Sequence, residues 1–155
     1  MTVQPPGQDR RFDLASAHSA AANEQIEEWV HAYLNGPGRN PAFSEGLRRR
    51  RRLWRGPLPV PLTVLERTCG PEPGLPFVVP VESWTSRIAD IMASFESVER
   101  FPPLLVQYEA GRLLIRDGSH RFGAFEKLAC QSCWVILWYA DEAAFESHQA
   151  HGFRI

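Results

Sequence analysis

The 155-residue sequence has little of several features that mark particular classes of protein. Lys127 is its single lysine, so arginine carries nearly all of the positive charge, and acidic residues bring the formal net charge to −1. A balanced charge does not indicate a nucleic acid or a membrane as partner. No apolar run approaches the ~20 residues of a membrane-spanning helix, and the start "MTVQPPGQDRRFD" has no apolar signal core. We therefore expect a cytoplasmic protein without a membrane partner.

Cysteine is also scarce, and the count of three is odd, which argues against a disulfide framework. Cys130 and Cys133 form a Cys-x-x-Cys pair, "CQSC". Redox pairs of this kind work at a helix N-terminus, where the dipole lowers the thiol pKa, whereas this pair follows a predicted helix. A zinc site would need two further ligands, and only Cys69 remains. We interpret all three as ordinary buried or turn residues.

Hydrophobic residues make up 44% and charged residues 23% of the chain, which is typical of one globular domain. Residues 1–19 are polar and predict a flexible N-terminus. Residues 20–56 predict a helical appendage whose first helix, 23–34, begins at Asn23 as N-cap. The segment "PAFSEGLRRRRRLWRG" predicts a second short helix before a break at Gly56-Pro57.

From residue 57 to 155 the pattern changes to alternating strands and helices. "PVPLTVL" predicts a strand that ends at Leu65, and "VESWTSRIADIMASF" predicts a helix. "PPLLVQY" and "RLLIR" flank "EAG" as a hairpin, and helix 119–129, the strand "CWVILWY" and a helix begun by Asp141 follow. The predicted fold class is α+β: a small mixed sheet with surrounding helices, plus the N-terminal appendage.

The stretch "LIRDGSHRFGAF" carries the strongest functional signal. An apolar strand stops at Asp117-Gly118 and a helix opens with Ser119, His120 and Arg121. Free N–H groups at a helix N-terminus cradle phosphate, and glycine lets the backbone turn sharply beside a ligand. Ser119 serves as N-cap or donates its hydroxyl, and His120 and Arg121 add side-chain donors. The pattern therefore predicts an anion site.

Asp117 needs a separate explanation, because a carboxylate by itself repels phosphate. It fits better as a ligand of Mg²⁺ or as the acceptor of a proton from a substrate hydroxyl. The plainer alternative is an Asp or Ser N-cap with a solvated histidine and arginine. The residues alone leave both interpretations open.

The segment "PPLLVQYEAGRLLIRDGSHRFGAFEKL" closely resembles the ParB/sulfiredoxin superfamily, in which a hairpin strand leads into a Gly-x-His/Arg-Arg turn and a helix. The resemblance covers about the last 100 residues. It implies a ParB/sulfiredoxin-like domain in which the turn grips nucleotide phosphates. By matching motif positions, Gly118, Ser119, His120 and Arg121 are the phosphate-binding residues.

The differences between this sequence and each branch of the superfamily indicate which branch it resembles most. Sulfiredoxins carry their reactive cysteine just before the His-Arg pair, where this chain has Ser119. Few residues follow "WVILWY" in this sequence, so we do not expect the DNA-reading domain of partition proteins. Free serine kinases read Asp-Gly-His-His-Arg at the turn, with a catalytic aspartate that Asp117 matches. They also use an upstream glutamate, for which Glu66 is the first candidate and Glu72 the second; neither rests on a motif match.

The expected function is a nucleotide-dependent phosphotransferase or nucleotide hydrolase that acts on a small hydroxyl-bearing molecule. ATP, ADP or CTP with Mg²⁺ would be the cofactors, Asp117 the tentative Mg²⁺ ligand, and Asp117, Glu66 and His120 the catalytic residues. The alternative is a non-catalytic ParB-like module that binds nucleotide or nucleic acid. The arginine run from Arg48 to Arg52 favours that alternative, although such runs are more often solvated faces. The sequence leaves open whether the protein forms a homodimer.

Overall fold

The computed structural model describes residues 10–151. Within this range the chain forms six α-helices: α1 Leu14–Ala22, α2 Ile26–Asn35, α3 Pro41–Arg48, α4 Val81–Ala93, α5 Ser119–Lys127 and α6 Glu142–Ala150. It also forms seven strands: β1 Leu53–Pro61, β2 Leu65–Arg67, β3 Cys69–Gly70, β4 Phe77–Val78, β5 Leu104–Glu109, β6 Arg112–Asp117 and β7 Ser132–Tyr139. The predicted α+β class is confirmed.

Five of the strands make one mixed sheet in the order β1-β7-β5-β6-β2. β5 and β6 form the predicted antiparallel hairpin, while β5 and β7 run parallel, as do β6 and β2. β1 closes one edge by antiparallel pairing with β7. The two-residue strands β3 and β4 pair separately in parallel. The mixture of directions is the one expected for the small mixed sheet.

Helices cover both faces of this sheet, and side chains of the central strands alternate between the two. One cluster joins α4, α5 and α6 to the side chains Leu104, Val106, Val135, Leu137 and Tyr139. The other joins α1, α2 and α3 to Leu105, Ile136 and Trp138. β5 and β7 are buried on both faces for this reason, and their residues form near-continuous apolar runs.

The N-terminal region is more ordered than the sequence predicts. Fraying was expected through residue 19, but α1 begins at Leu14 behind a capping box, in which the Asp13 carboxylate accepts from the Ser16 amide at 2.9 Å. Leu14 and Ala17 are buried, so this helix packs rather than frays. Residues 1–9 of the expected flexible segment lie outside the described residues.

Two predicted boundaries also move. Asn23 caps the end of α1 instead of starting the next helix, which begins at Ile26 after Gln25. The expected break at Gly56-Pro57 lies inside β1, where the pairing with β7 shifts register between Arg55 and Leu58. The helices α1 to α3 are therefore a layer on the same sheet, and β1 continues directly from them.

The cysteines lie as expected for structural residues. All three are free, and burial raises the pKa of Cys133 to about 12, which leaves its thiol protonated and unreactive near neutral pH. His148, close to the C-terminus, is also structural: its ring lies 2.8 Å from the Tyr139 hydroxyl. Among residues 10–151, no helix is both long and apolar enough to cross a membrane.

Candidate functional site

The turn between β6 and α5 is built around Gly118. This residue has φ +106°, a conformation that side chains rarely allow, and it serves as the N-cap of α5. A Cβ at this position would lie 2.5 Å from Leu104 Cδ2 and 2.7 Å from Arg121 Nη2. Glycine is therefore required here for two reasons, the backbone conformation and the close approach of buried side chains.

A glycine N-cap leaves the first turn of α5 without a side-chain cap. Since the first helical hydrogen bond runs from the Phe122 amide to the Gly118 carbonyl, the amides of Ser119, His120 and Arg121 have no partner within the helix. The positive end of the helix dipole lies at the same place. Ser119, predicted as a possible N-cap, is the first helical residue and is buried. The arrangement can accept an anion at these amides.

The guanidinium group of Arg121 is hydrogen-bonded to other groups of the protein. Its Nη1 donates to the Pro102 carbonyl at 2.7 Å, and its Nη2 donates to Asp117 Oδ2 at 2.9 Å. The guanidinium also lies 5.6 Å from the ring centroid of Tyr33, and the side chain is 7% exposed. Arg121 was predicted as a direct phosphate ligand, but in this structure it braces the turn because two of its nitrogens are already used.

Asp117 lies where the sequence predicts, at the end of β6, and its environment is unusual. Burial raises the pKa of its carboxyl group, and the Arg121 guanidinium and a hydrogen bond from Tyr33 oppose that rise. Burial likewise raises the pKa of Tyr33 to about 12, so its hydroxyl stays protonated. Tyr33 belongs to α2, which means that the N-terminal helical layer reaches the turn. The sequence gives no signal of this contact.

His120 faces α4, with its ring centroid 4.7 Å from that of Trp84. Burial of the ring, together with the positive charges of Arg87 and Arg121, lowers the pKa of His120 to about 4. The imidazole is therefore neutral at pH 7. It can donate one hydrogen bond to a ligand, but it does not supply a positive charge to the free protein.

Arg87 of α4 was missed by sequence reasoning. It is exposed, and its positive charge lowers the pKa of Asp117, His120 and Tyr33. Its sequence signal is weak: it lies three residues after the buried Trp84, and therefore on a neighbouring part of the helix surface. Arg87 is therefore an exposed positive charge on the helix that packs against α5.

The two candidate glutamates lie apart from each other. Glu66 is exposed and accepts from Arg112 at 2.8 Å and 3.0 Å, at the far end of β6 from Asp117. Asp117 lies five positions after Arg112 along the strand, or ~16 Å. The structure therefore does not bring Glu66 to Asp117, because β2 pairs with the middle of β6.

Glu72, the second candidate, lies closer to the turn. It forms an ion pair with Arg67, whose guanidinium lies 4.9 Å from the ring centroid of Trp84. Trp84 thus lies between Arg67 and His120 in a continuous line of contacts. Since Glu72 is bonded to Arg67, its role in the structure is to hold that arginine beside Trp84.

The donor groups near the turn do not fit a Mg²⁺ ion held by the protein. Across residues 10–151 no group of three or more histidine, cysteine, aspartate or glutamate side chains is arranged to hold a metal. Asp117, the predicted ligand, accepts from Arg121. Mg²⁺ at such a site is usually bound through one or two carboxylates and substrate phosphates, so any Mg²⁺ would have to arrive with the nucleotide.

The arginine run lies at the opposite end of the sheet. Residues 48–51 are exposed, whereas Arg52 packs over Trp138 and donates to the Ala140 carbonyl at 3.4 Å. Ala140 directly follows β7, and the last residue of β7, Tyr139, pairs with Tyr108 near the end of β5. Glu109 and Arg112 therefore lie at this end of the sheet. Asp117 lies at the other end, where it pairs with Leu105. The run is therefore not a neighbour of the turn.

This chain is similar to solved structures, but its sequence matches no family model. No family model and no curated protein matches the chain. A C-terminally truncated chromosome-partitioning protein ParB from Caulobacter crescentus, complexed with CTP-gamma-S, is similar at 17% identity with a TM-score of 0.38. A Pnob8-like ParB-N domain is similar at 14% identity with a TM-score of 0.33.

The two similarities have comparable extents. They cover 66% and 67% of this chain, which spans 54% of the first structure and 38% of the second. Each of the two structures is a ParB protein or a ParB domain.

Proposed function

We propose that this chain binds the phosphate groups of a nucleotide at the start of α5. The observation that carries the proposal is the start of α5, which no side chain caps, together with the exposed Arg87 on α4, the helix packed against α5. Asp117 would repel phosphate, but the guanidinium of Arg121 compensates its charge within the protein. Backbone amides, Arg87 and the neutral His120 then present donors and one net positive charge to an anion.

The test is calorimetric titration of ATP, ADP, CTP and inorganic tripolyphosphate, with and without Mg²⁺. Arg87→Gln should lower the affinity for each of these ligands by about tenfold or more, since a charge-assisted hydrogen bond contributes ~1.5–3 kcal/mol. Arg50→Gln is the matched control, because it removes the same charge from an exposed position on the arginine run. Equal loss in both variants would reject this site and indicate a bulk charge effect.

The activity that we propose for the bound nucleotide is phosphoryl transfer to water or to a small hydroxyl-bearing molecule. The supporting observation is Asp117, a carboxyl group at the helix start whose pKa is raised by burial. A raised pKa brings a carboxylate closer to the range of an efficient general base. Asp117 would accept the proton of the attacking hydroxyl, and His120 would donate a hydrogen bond to a phosphate oxygen. This step requires Asp117 to exchange its contact with Arg121 for the substrate.

Asp117→Asn tests the catalytic part separately from binding. The amide keeps the size of the side chain but cannot accept a proton, so phosphate release or product formation should fall to background. Tripolyphosphate binding should persist in the same variant, with circular dichroism as the check that it is folded. Loss of binding in a folded Asp117→Asn protein would show that this residue shapes the site rather than performing chemistry.

A second candidate function, binding of nucleic acid without catalysis, has one observation in its favour. Residues 48–51 present four successive exposed arginines next to the end of α3. Binding through phosphate contacts would weaken steeply with salt, with a slope of about −0.9 per contact on duplex DNA. A flat dependence on salt, or no binding at low salt, would remove this candidate.

A further inference from the structure

An irregularity at the end of β6 decides which side of the sheet Asp117 faces. Ile115 pairs with Val106 of β5, but Asp117 pairs with Leu105, so β6 has one residue more than β5 between these two pairs. Strict alternation would turn Asp117 to the side of Ile115, which packs with α4, α5 and α6. The extra residue aligns it instead with Leu105, which packs with α1, α2 and α3. A bulge re-aims a side chain in this way, and here it turns Asp117 toward the N-terminal helices.

Tyr33 of α2 is the residue from those helices that contacts the ion pair at the turn. Its ring centroid lies 5.6 Å from the Arg121 guanidinium, whose Nη2 is 2.9 Å from Asp117 Oδ2. The Tyr33 hydroxyl donates a hydrogen bond to the Asp117 carboxylate. The tyrosine is 7% exposed, and a buried tyrosine hydroxyl needs a partner. Two donors from different layers of the fold, Tyr33 and Arg121, therefore hold one carboxylate.

Helix packing fixes the position of Tyr33 without help from the turn. Its ring stacks on that of Trp29 with 5.6 Å between the centroids, and the Trp29 indole donates to Ser16 Oγ in the capping box of α1 at 3.0 Å. The Gly38 amide donates to the Tyr33 carbonyl at 2.8 Å. A Cβ at Gly38 would lie 2.9 Å from Cε1 of the tyrosine ring, so the loop after α2 packs closely on the ring.

We propose that Tyr33 is a positioning residue that holds the Asp117 carboxylate in place at the start of α5, and that α2 is thereby part of the site. This inference rests on the proposed role of Asp117 as acceptor of the proton from the attacking hydroxyl. That step requires Asp117 to exchange its contact with Arg121 for the substrate, and the carboxylate then needs another donor to keep its orientation. Tyr33 supplies this donor, because its own position does not depend on Arg121.

The test removes the Tyr33 hydroxyl and leaves the aromatic ring. Tyr33→Phe keeps the ring contacts with Trp29 and Arg121, so circular dichroism should show a folded protein. Tyr108→Phe is the matched control, because it removes the hydroxyl of another buried tyrosine, which lies 3.3 Å from Ser147 Oγ of α6. Calorimetry with tripolyphosphate would measure anion binding in both variants, and the affinity should equal that of the wild type.

Carbon-13 nuclear magnetic resonance follows the titration of the Asp117 carboxyl group whether or not the protein turns over a nucleotide. Burial raises the pKa of this group, and Arg121, the Tyr33 hydrogen bond and Arg87 lower it. Tyr33→Phe should therefore raise the pKa of Asp117, and Tyr108→Phe should leave it unchanged. Phosphate release from the nucleotide by Tyr33→Phe should fall about 10- to 100-fold near neutral pH. The acidic limb of its pH profile should move to higher pH, because the base must be deprotonated.

The outcomes separate this inference from the proposed function. If Tyr33→Phe changes neither the pKa of Asp117 nor the rate, the positioning role is overturned. Lower tripolyphosphate affinity in folded Tyr33→Phe would also overturn it, because the hydroxyl would then shape the phosphate site, and an unfolded variant would assign the hydroxyl to stability. A wild type that does not bind tripolyphosphate, or that binds it without releasing phosphate from a nucleotide, would reject the proposed function. The pKa of Asp117 in Tyr33→Phe would still decide whether Tyr33 holds the carboxylate.

Discussion

Asp117 and Arg121 form an ion pair across one turn, from the last residue of β6 to the third residue of α5, with Oδ2 and Nη2 2.9 Å apart. Both side chains are largely buried, at 14% and 7% exposure. The pair spans Gly118, and the Arg121 guanidinium compensates the charge of the Asp117 carboxylate. This compensation would allow an acidic residue and the proposed anion site to occupy neighbouring positions.

Arg121→Ala should destabilise the fold rather than remove only a ligand contact. The change leaves the Asp117 carboxylate buried without its partner and removes the bond to the Pro102 carbonyl. Breaking one partner of a buried ion pair costs ~3–5 kcal/mol. Urea unfolding followed by circular dichroism would measure the loss. Arg112→Ala is the control, since its exposed pair with Glu66 should contribute little. An Arg121→Ala protein as stable as the wild type would contradict the bracing role.

Gly118→Ala should be far more harmful than the same change at Gly111. Both glycines have positive φ, at +106° and +81°, so both substitutions carry the ~1–2 kcal/mol cost of that conformation. Only Gly118 is crowded, because a Cβ there would approach Leu104 and Arg121, while a Cβ at Gly111 meets nothing within 4 Å. Parallel thermal melts of the two variants measure the difference. Similar melting temperatures would show that the turn has room to relax.

His120 should titrate well below an ordinary histidine in the free protein. Its pKa lies at about 4 because the ring is half-buried and two arginines are near. Binding a polyphosphate adds negative charge beside the ring and should raise that pKa, so that nucleotide binding takes up a proton and strengthens as pH falls. Nuclear magnetic resonance titration of the ring protons with and without tripolyphosphate measures both values. An identical pKa in the two states would mean that the anion binds elsewhere.

The same shift predicts how stability depends on pH. The unfolded chain binds a proton at His120 near pH 6.5, whereas the folded chain does so only near pH 4. The stability that comes from the neutral ring is therefore fully present above about pH 6.5 and is lost as pH falls toward 4. Urea unfolding across this range should show a shallower decline for His120→Gln than for the wild type. If stability declines equally steeply with pH in both proteins, the low pKa of His120 does not contribute to the pH dependence of stability.

Replacing residues 48–51 by glutamine should leave nucleotide affinity unchanged, because the run lies at the other end of the sheet from Asp117. If the run binds nucleic acid, the same variant should lose that binding and most of its salt dependence. Fluorescence anisotropy with a labelled duplex and a labelled nucleotide measures both properties on one preparation. A lower nucleotide affinity in this variant would contradict the separation of the two surfaces.

Local sequence patterns predicted much of the fold. The hairpin of β5 and β6 follows from two apolar runs around Gly111, and α6 begins after Asp141, whose side chain accepts from the Ala144 amide at 2.9 Å. These elements depend on neighbouring residues, so the sequence contains their causes. Fraying of residues 14–19 was predicted wrongly for the opposite reason. α1 is stabilised by packing Leu14 and Ala17 against a distant surface that polar composition does not reveal.

The sequence by itself determined the turn: an acid and a glycine at the end of a strand, followed by a helix that opens with Ser119, His120 and Arg121. Only the tertiary structure decided how these groups divide their roles. It buried Arg121 against Pro102 and Asp117, and it left Glu66 at the far end of β6. The physical reason is that a side chain's partners are set by sheet register and helix packing, which join residues far apart in the chain.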